Sequence, residues 1–404
     1  LLGCLSIFSF IIASILFAAN SSPIAVNVIV SRPPVLESQA QYKSDGITEI
    51  VEGGWTNEAT IVIKLNMSDL DEGSDTLTPY VEIQPVGTNF TNTATHSGSA
   101  VAWGGTGSVV GTVTITGLAE NSYHWQARVS DAIGNSSGWG SERTLSVDTT
   151  APVVTILSPV AGNNVNGGVT ITFSSSETVT AQASVNNLNW YACVSGVTTL
   201  NAITEFAGLP DGAFTLYIKS TDTAGNIGAT DSESGIIKNT TAPIATLSVG
   251  TLTISESDLV QEITINYNKL MLSVPTPTVT FSATSGTITS QGGGVWVGQT
   301  TWQENFIITD ANEEVGIVNV TSSNAKDLAG NTEGVCTGAT FAIDTLAPVV
   351  TITSPVSGAN VNAAAVISFT SSEPVSAQAS VDNINWDACV SGVTTLNAIT
   401  EFAG

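Results

Sequence analysis

Three near-copies of one short string punctuate the chain: VDTTAP from Val147, NTTAP from Asn239 and DTLAP from Asp344. They belong to a larger duplication. The segment from Pro152 to Gly208 returns from Pro348 to Gly404, and from Ala192 (Ala388 in the copy) onward the two are identical letter for letter. Units repeated in this way do not share one core. Each buries its own apolar residues and touches only its neighbours. The copies are offset by 348 − 152 = 196 residues, and the tag at Asn239 divides that period, so each period holds two unlike units.

Within the units, short runs alternate with period two. Tyr123, Trp125, Ala127 and Val129 share one face of SYHWQARVSD, and Phe214, Leu216 and Ile218 share one face of FTLYIKSTD. This pattern predicts strands buried on one side in antiparallel sandwiches. No stretch after Ala19 keeps a helical period. Strands of this kind close in the same turn, SDAIGN from Ser130, TDTAGN from Thr221 and KDLAGN from Lys326, where glycine supplies the positive φ of a tight turn. A hydrophobic content of 42% excludes wholesale disorder.

A strand closing in D-x-x-G-N and followed by a DTTAP tag resembles the bacterial Ig-like and fibronectin type III-like repeats of secreted surface proteins and giant adhesins. The resemblance implies an all-β chain of tandem antiparallel β-sandwiches in a beaded rod. The expected units are a signal peptide at 1–21, a fibronectin type III-like sandwich at 22–147, an Ig-like repeat at 148–238, a second type at 239–343 and a truncated copy of the first at 344–404. GLAENSYHW places Leu118 and Tyr123 where such sandwiches carry a tyrosine corner, and GLPDGAFTL puts Phe214 there in the next unit. A subfamily cysteine pair is broken, because Ala183 and Ala379 stand where the partners of Cys193 and Cys389 would be.

Nine basic residues against 34 acidic ones give a net charge of -25, which disfavours nucleic acid and anionic lipid and favours cations. The apolar run from Leu1 to Ala19, followed by Asn20-Ser21-Ser22-Pro23, reads as a secretory signal, with an uncleaved anchor as its rival. A lipoprotein-type cysteine at Cys4 would sit at the wrong end of that run. Cys193, Cys336 and Cys389 are one to a unit and are expected to be free thiols.

The tags matter because an Ig-type sandwich receives the chain at the pole carrying two of its loops. Asp148 of the first tag, Glu177 of SSSET, and Asp222 with Asn226 of TDTAGN are expected to converge there as oxygen ligands for calcium. The second joint has Asn239 in the tag and Lys269 at the position of Glu177, leaving only Asp327 acidic; no calcium is expected, and Lys269 can pair with Asp327. The third joint restores Asp344 and Glu373. A separate set, Asp69, Asp71 and Asp75, is expected to approach Asp131. The competing account is purely structural, with these acids bonding their own turns.

Among catalytic signals the sequence offers none: the two histidines, His96 and His124, lie in no nucleophile–base pattern, and His124 should face solvent. Trp55, Trp103, Trp139, Trp296 and Trp302 are candidate stacking faces for sugar, while Trp125, Trp190 and Trp386 read as structural. The expected function is a non-catalytic stalk or adhesin-like segment at the cell surface or secreted, whose partners are neighbouring repeats and a host-surface, cell-surface or polysaccharide ligand. The alternative is a set of accessory, carbohydrate-binding modules of an extracellular polysaccharide-degrading enzyme.

Overall fold

The computed structural model describes residues 31–71 and 73–402. The expected signal segment and Cys4 lie outside the described residues. Among the described residues the fold is all-β apart from the short helix Thr204–Gly208 and three 3-10 turns. These residues divide into two compact units: those up to Val153 together with Glu177–Val179 and Thr221–Gly228, and the remainder.

In the first unit the Val35–Lys43, Ile61–Ser68 and Val109–Ile115 strands form one sheet, with Glu49–Ile50 at its edge. Trp55–Thr56, Arg143–Val147, Asn121–Ser130, Asp75–Pro85 and His96–Ser97 form the other. The period-two pattern decides what lies between them: Ile61, Ile63, Leu65 and Met67 from one sheet meet Trp125, Ala127 and Val129 from the other, all fully buried. Full burial of each such aliphatic side chain contributes about 1.5–3 kcal/mol. Trp125 needs a partner for its indole N–H in this core, and finds Gln41 Oε1 at 2.6 Å. The tyrosine corner is present: Tyr123 donates its hydroxyl to the Ala119 carbonyl at 3.0 Å.

In the second unit, strands from Val154 to Lys238 make a two-stranded and a five-stranded sheet. Those from Ala245 to Asp344 make a five-stranded and a four-stranded sheet around Ile263, Ile265, Trp302, Val318, Val320 and Phe341.

One pairing recurs. Trp55–Thr56 lies parallel to Arg143–Val147, Asn164–Val165 to Asp231–Lys238, and Thr253–Ser255 to Cys336–Asp344. In each case a short early strand flanks the strand that runs into the next tag.

Several side chains differ from the sequence expectation. His124 is not solvated: its ring stacks on Phe90, and its nitrogens lie 2.7 Å from Glu142 Oε1 and 2.8 Å from the Thr88 carbonyl. Trp103 and Trp302 are 2% and 1% exposed, because both fill cores, so neither offers a face to sugar. Cys193 and Cys389 are buried and Cys336 half-buried, all with free thiols. No described helix is long and apolar enough to cross a membrane.

Candidate metal centre

The first tag leaves the Arg143–Val147 strand with Asp148 donating its N–H to the Thr56 carbonyl at 3.0 Å. Its next two residues are held from the side. Glu120 Oε1 accepts the Thr149 N–H and hydroxyl at 3.1 and 2.8 Å, and the Thr150 hydroxyl as well. Those hydroxyls, Thr150 first, hold the Glu120 carboxyl below the usual range. Asp211 plays the same part at the second tag, accepting from the Thr240 hydroxyl at 2.9 Å and the Thr241 hydroxyl at 3.2 Å. The threonine pair of the tag is therefore a docking strip for an acid from the loop before the tyrosine-corner position. Sequence reasoning missed Glu120 and Asp211; their shared place in GLAEN and GLPDG was the available signal.

With the tag so fixed, Asp148, Glu177 and Asp222 come together, all in the first unit. Each offers a carboxylate oxygen, and these oxygens lie within 4.8 Å of one another. Asp222 is the most confined, at 7% exposed. Its Oδ1 accepts the Gly225 and Asn226 N–H groups at 2.7 and 2.8 Å, and its Oδ2 accepts the Asn226 side-chain amide at 2.7 Å. Burial alone would raise the Asp222 carboxyl, but the bonds from Asn226, Gly225 and Ala224 outweigh it and hold the group ionised below the usual range. Glu177 moves the other way, raised first by desolvation and then by the charges of Asp148, Asp222 and Glu120. The group thus gathers like charge that a cation would neutralise.

Asn226 does not present its amide oxygen as expected. Its Nδ2 donates both to Asp222 Oδ2 and to the Asp148 carbonyl at 2.8 Å, and two acceptors on one side fix the amide nitrogen there. Asn226 is a clasp between tag and turn.

The second tag uses the same clasp with different charge. Asn331 Nδ2 donates to the Asn239 carbonyl at 2.8 Å and to Asp327 Oδ2 at 3.1 Å. Lys269, at the position of Glu177, sends its ammonium among the oxygens: 2.6 Å from the Thr241 carbonyl, 3.4 Å from Asn239 Oδ1 and 3.3 Å from Asp327 Oδ2. The expected Lys269–Asp327 pair therefore forms. The ammonium marks where a positive charge sits on this scaffold.

The remaining acids are distributed as follows. Asp69, Asp75 and Asp131 make a second group with oxygens within 4.8 Å of one another. Asp71 stands apart from it, its carboxylate accepting the Arg32 N–H at 3.0 and 3.1 Å. Asp344 ends its strand and Glu373 follows the Ser368–Ser371 strand; no group of three acids forms around them among the described residues.

No protein-family model and no curated protein sequence matches the chain. Similar solved structures include fibronectin(III)-like modules of CbhA from Clostridium thermocellum, at 12% identity and TM-score 0.27, covering 51% of this chain and 94% of that one. Surface layer protein SbsC, domains 1–6, matches at 11% identity and TM-score 0.23, covering 89% of this chain and 59% of that one. An alpha-L-rhamnosidase of Streptomyces avermitilis, solved with L-rhamnose, matches at 9% and TM-score 0.23, covering 76% of this chain and 40% of that one.

Proposed function

We propose that this chain is a run of non-catalytic extracellular spacer modules, part of a surface stalk or adhesin-like protein, and that calcium bound by Asp148, Glu177 and Asp222 fastens its first tag. The observation that carries the calcium reading is the contrast in charge on one scaffold. Where the second tag places the Lys269 ammonium among Asn239, Thr241 and Asp327 oxygens, the first places a third carboxylate, that of Glu177, with an oxygen within 4.8 Å of those of Asp148 and Asp222. Three carboxylates supplemented by carbonyls and water suit the oxygen-only, six-to-eight-coordinate preference of calcium. Binding would hold the tag against the loops at Glu177 and Asp222, and would stabilise the fold by about 2.7 kcal/mol at a concentration 100 times the dissociation constant. The spacer reading is supported by the repeated tag, the separate cores and the absence of a nucleophile–base pattern in the sequence.

The test is calorimetric titration of calcium into the full chain and into its D148N/E177K variant, which gives the first tag the charges of the second. The variant should lose a class of bound calcium. An unchanged isotherm would remove the site from the proposal and leave a purely structural tag.

A further inference from the structure

The Asp69, Asp75 and Asp131 group is assembled like the first tag cluster but draws its third acid from a different place. Asp69 follows the Ile61–Ser68 strand as Glu177 follows Thr172–Ser175, and Asp131 opens the SDAIGN turn as Asp222 opens TDTAGN. The third carboxylate belongs to Asp75, the first residue of the Asp75–Pro85 strand, where the other cluster uses the tag.

Asp131 is preset by its own turn. Its Oδ1 accepts the Ile133 and Asn135 N–H groups at 3.1 and 2.7 Å, while Oδ2 accepts the Asn135 side-chain amide at 2.9 Å and the Ser31 hydroxyl at 3.4 Å. Asp69 is different. It is 5% exposed, and its Oδ1 accepts the Asp71 N–H at 3.1 Å. Its Oδ2 is buried with no hydrogen-bond partner. A buried carboxylate oxygen without a donor is costly, and here two further carboxylates stand within 4.8 Å of the same side chain. Among the described residues no lysine, arginine or histidine forms an ion pair with any of the three. On the corresponding pair of positions in the Ala245–Asp344 segment, Lys269 and Asp327, a positive charge completes the arrangement.

We propose that Asp69, Asp75 and Asp131 form a second, self-contained site for a hard divalent cation of the calcium type, with Asp69 Oδ2 as a direct ligand. The cation supplies the partner that this oxygen lacks and offsets the mutual repulsion of the three acids. All three carboxylates come from one sandwich, so the site needs no group from a tag. It therefore stands or falls independently of the Asp148 cluster.

The experiment uses the full chain carrying D148N/E177K, so that the tag cluster is disabled, and titrates calcium by calorimetry alongside tryptophan-sensitised terbium luminescence. Trp103, the register partner of Asp75, provides an indole beside the site. The D148N/E177K protein should bind calcium, which should displace terbium; adding Asp69→Asn should abolish the binding, and adding Asp75→Asn should weaken it by at least about tenfold. Asp75 is half-buried at a strand start, so its variant decides the matter if Asp69→Asn does not fold. The proposal is overturned if D148N/E177K binds neither ion, or if its affinity is unchanged by Asp75→Asn.

Discussion

The Asp148 and Asn239 tags are built on one frame and filled with opposite charge. In both, an asparagine amide bridges the tag carbonyl to the aspartate of a D-x-x-G-N turn, at 2.8 Å from Asn226 and from Asn331. In both, an acid from the preceding loop grips the two tag threonines. At the second tag Lys269 brings its own cation on a tether, its ammonium 3.3 Å from Asp327 Oδ2. At the first, Glu177 adds to the negative charge, and half-burial together with Asp148, Asp222 and Glu120 pushes its carboxyl upward. Packing and charge are therefore separable here: the hydrogen-bonded clasp sets the geometry, and two positions, Asp148 or Asn239 in the tag and Glu177 or Lys269 after the strand, decide what balances it.

The largest expected effect comes from exchanging the charges. On the proposed calcium reading, N239D/K269E should give the second tag calcium binding, and D148N/E177K should remove it from the first. A thermal shift with calcium, on the order of 2.7 kcal/mol at a hundredfold excess over the dissociation constant, should follow the acids from one tag to the other. If the shift fails to follow them, the frames are not equivalent.

Next in size is Lys269→Met. It leaves Asp327, whose side chain is 1% exposed, without its ion-pair partner, and denaturant unfolding should show a loss of about 2 kcal/mol. That figure lies below the range for fully buried pairs because 21% of the lysine side chain meets solvent and the turn amides still bind Asp327. A loss near zero would mean that the ammonium contributes no net stabilisation.

A smaller effect separates the corners that precede the tags. Tyr123→Phe removes the bond to the Ala119 carbonyl and should cost about 1 kcal/mol, making the first corner like the second, where Phe214 already fills the position. No change in denaturation midpoint would show that packing of the ring alone holds the corner.

The smallest effect is a matter of sign. An acid whose folded pKa is raised weakens the fold above that pKa, and the loss is recovered as pH falls through it. Without calcium, Glu177→Gln should therefore melt above the native protein at neutral pH, and the two curves should converge as the solution is acidified through the carboxylate range. With saturating calcium the order should reverse. A native protein that melts higher than Glu177→Gln in calcium-free neutral solution would contradict the repulsion.

Much of this was legible in the sequence because period-two runs and glycine turns fix where strands end, and loop ends are where Asp148, Glu177, Asp222, Lys269 and Asp327 lie. The tyrosine corner was legible for the same reason. Directions of individual side chains were not. Nothing in TDTAGN says which end of the Asn226 amide faces the acids; two acceptors in space decide that. Trp103 lies on a strand of three residues, too short for alternation to reveal its face. His124 was misplaced because a strand pattern gives the face but cannot see Phe90 and Glu142 closing over it. Glu120 and Asp211 escaped because their partners lie about 30 residues downstream in the tags.

The short parallel pairings carry a consequence for a chain under tension. Trp55–Thr56, Asn164–Val165 and Thr253–Ser255 each stand early in their sandwich, beside the strand from which the chain departs. Drawing the two ends of such a sandwich apart pulls parallel neighbours in opposite senses along their length. Their rungs are then sheared together and cannot be unzipped one after another. Stretching single molecules should show distinct rupture peaks that fall when Asn164–Val165 is replaced by a proline-containing pair; peaks that did not fall would place the resistance elsewhere.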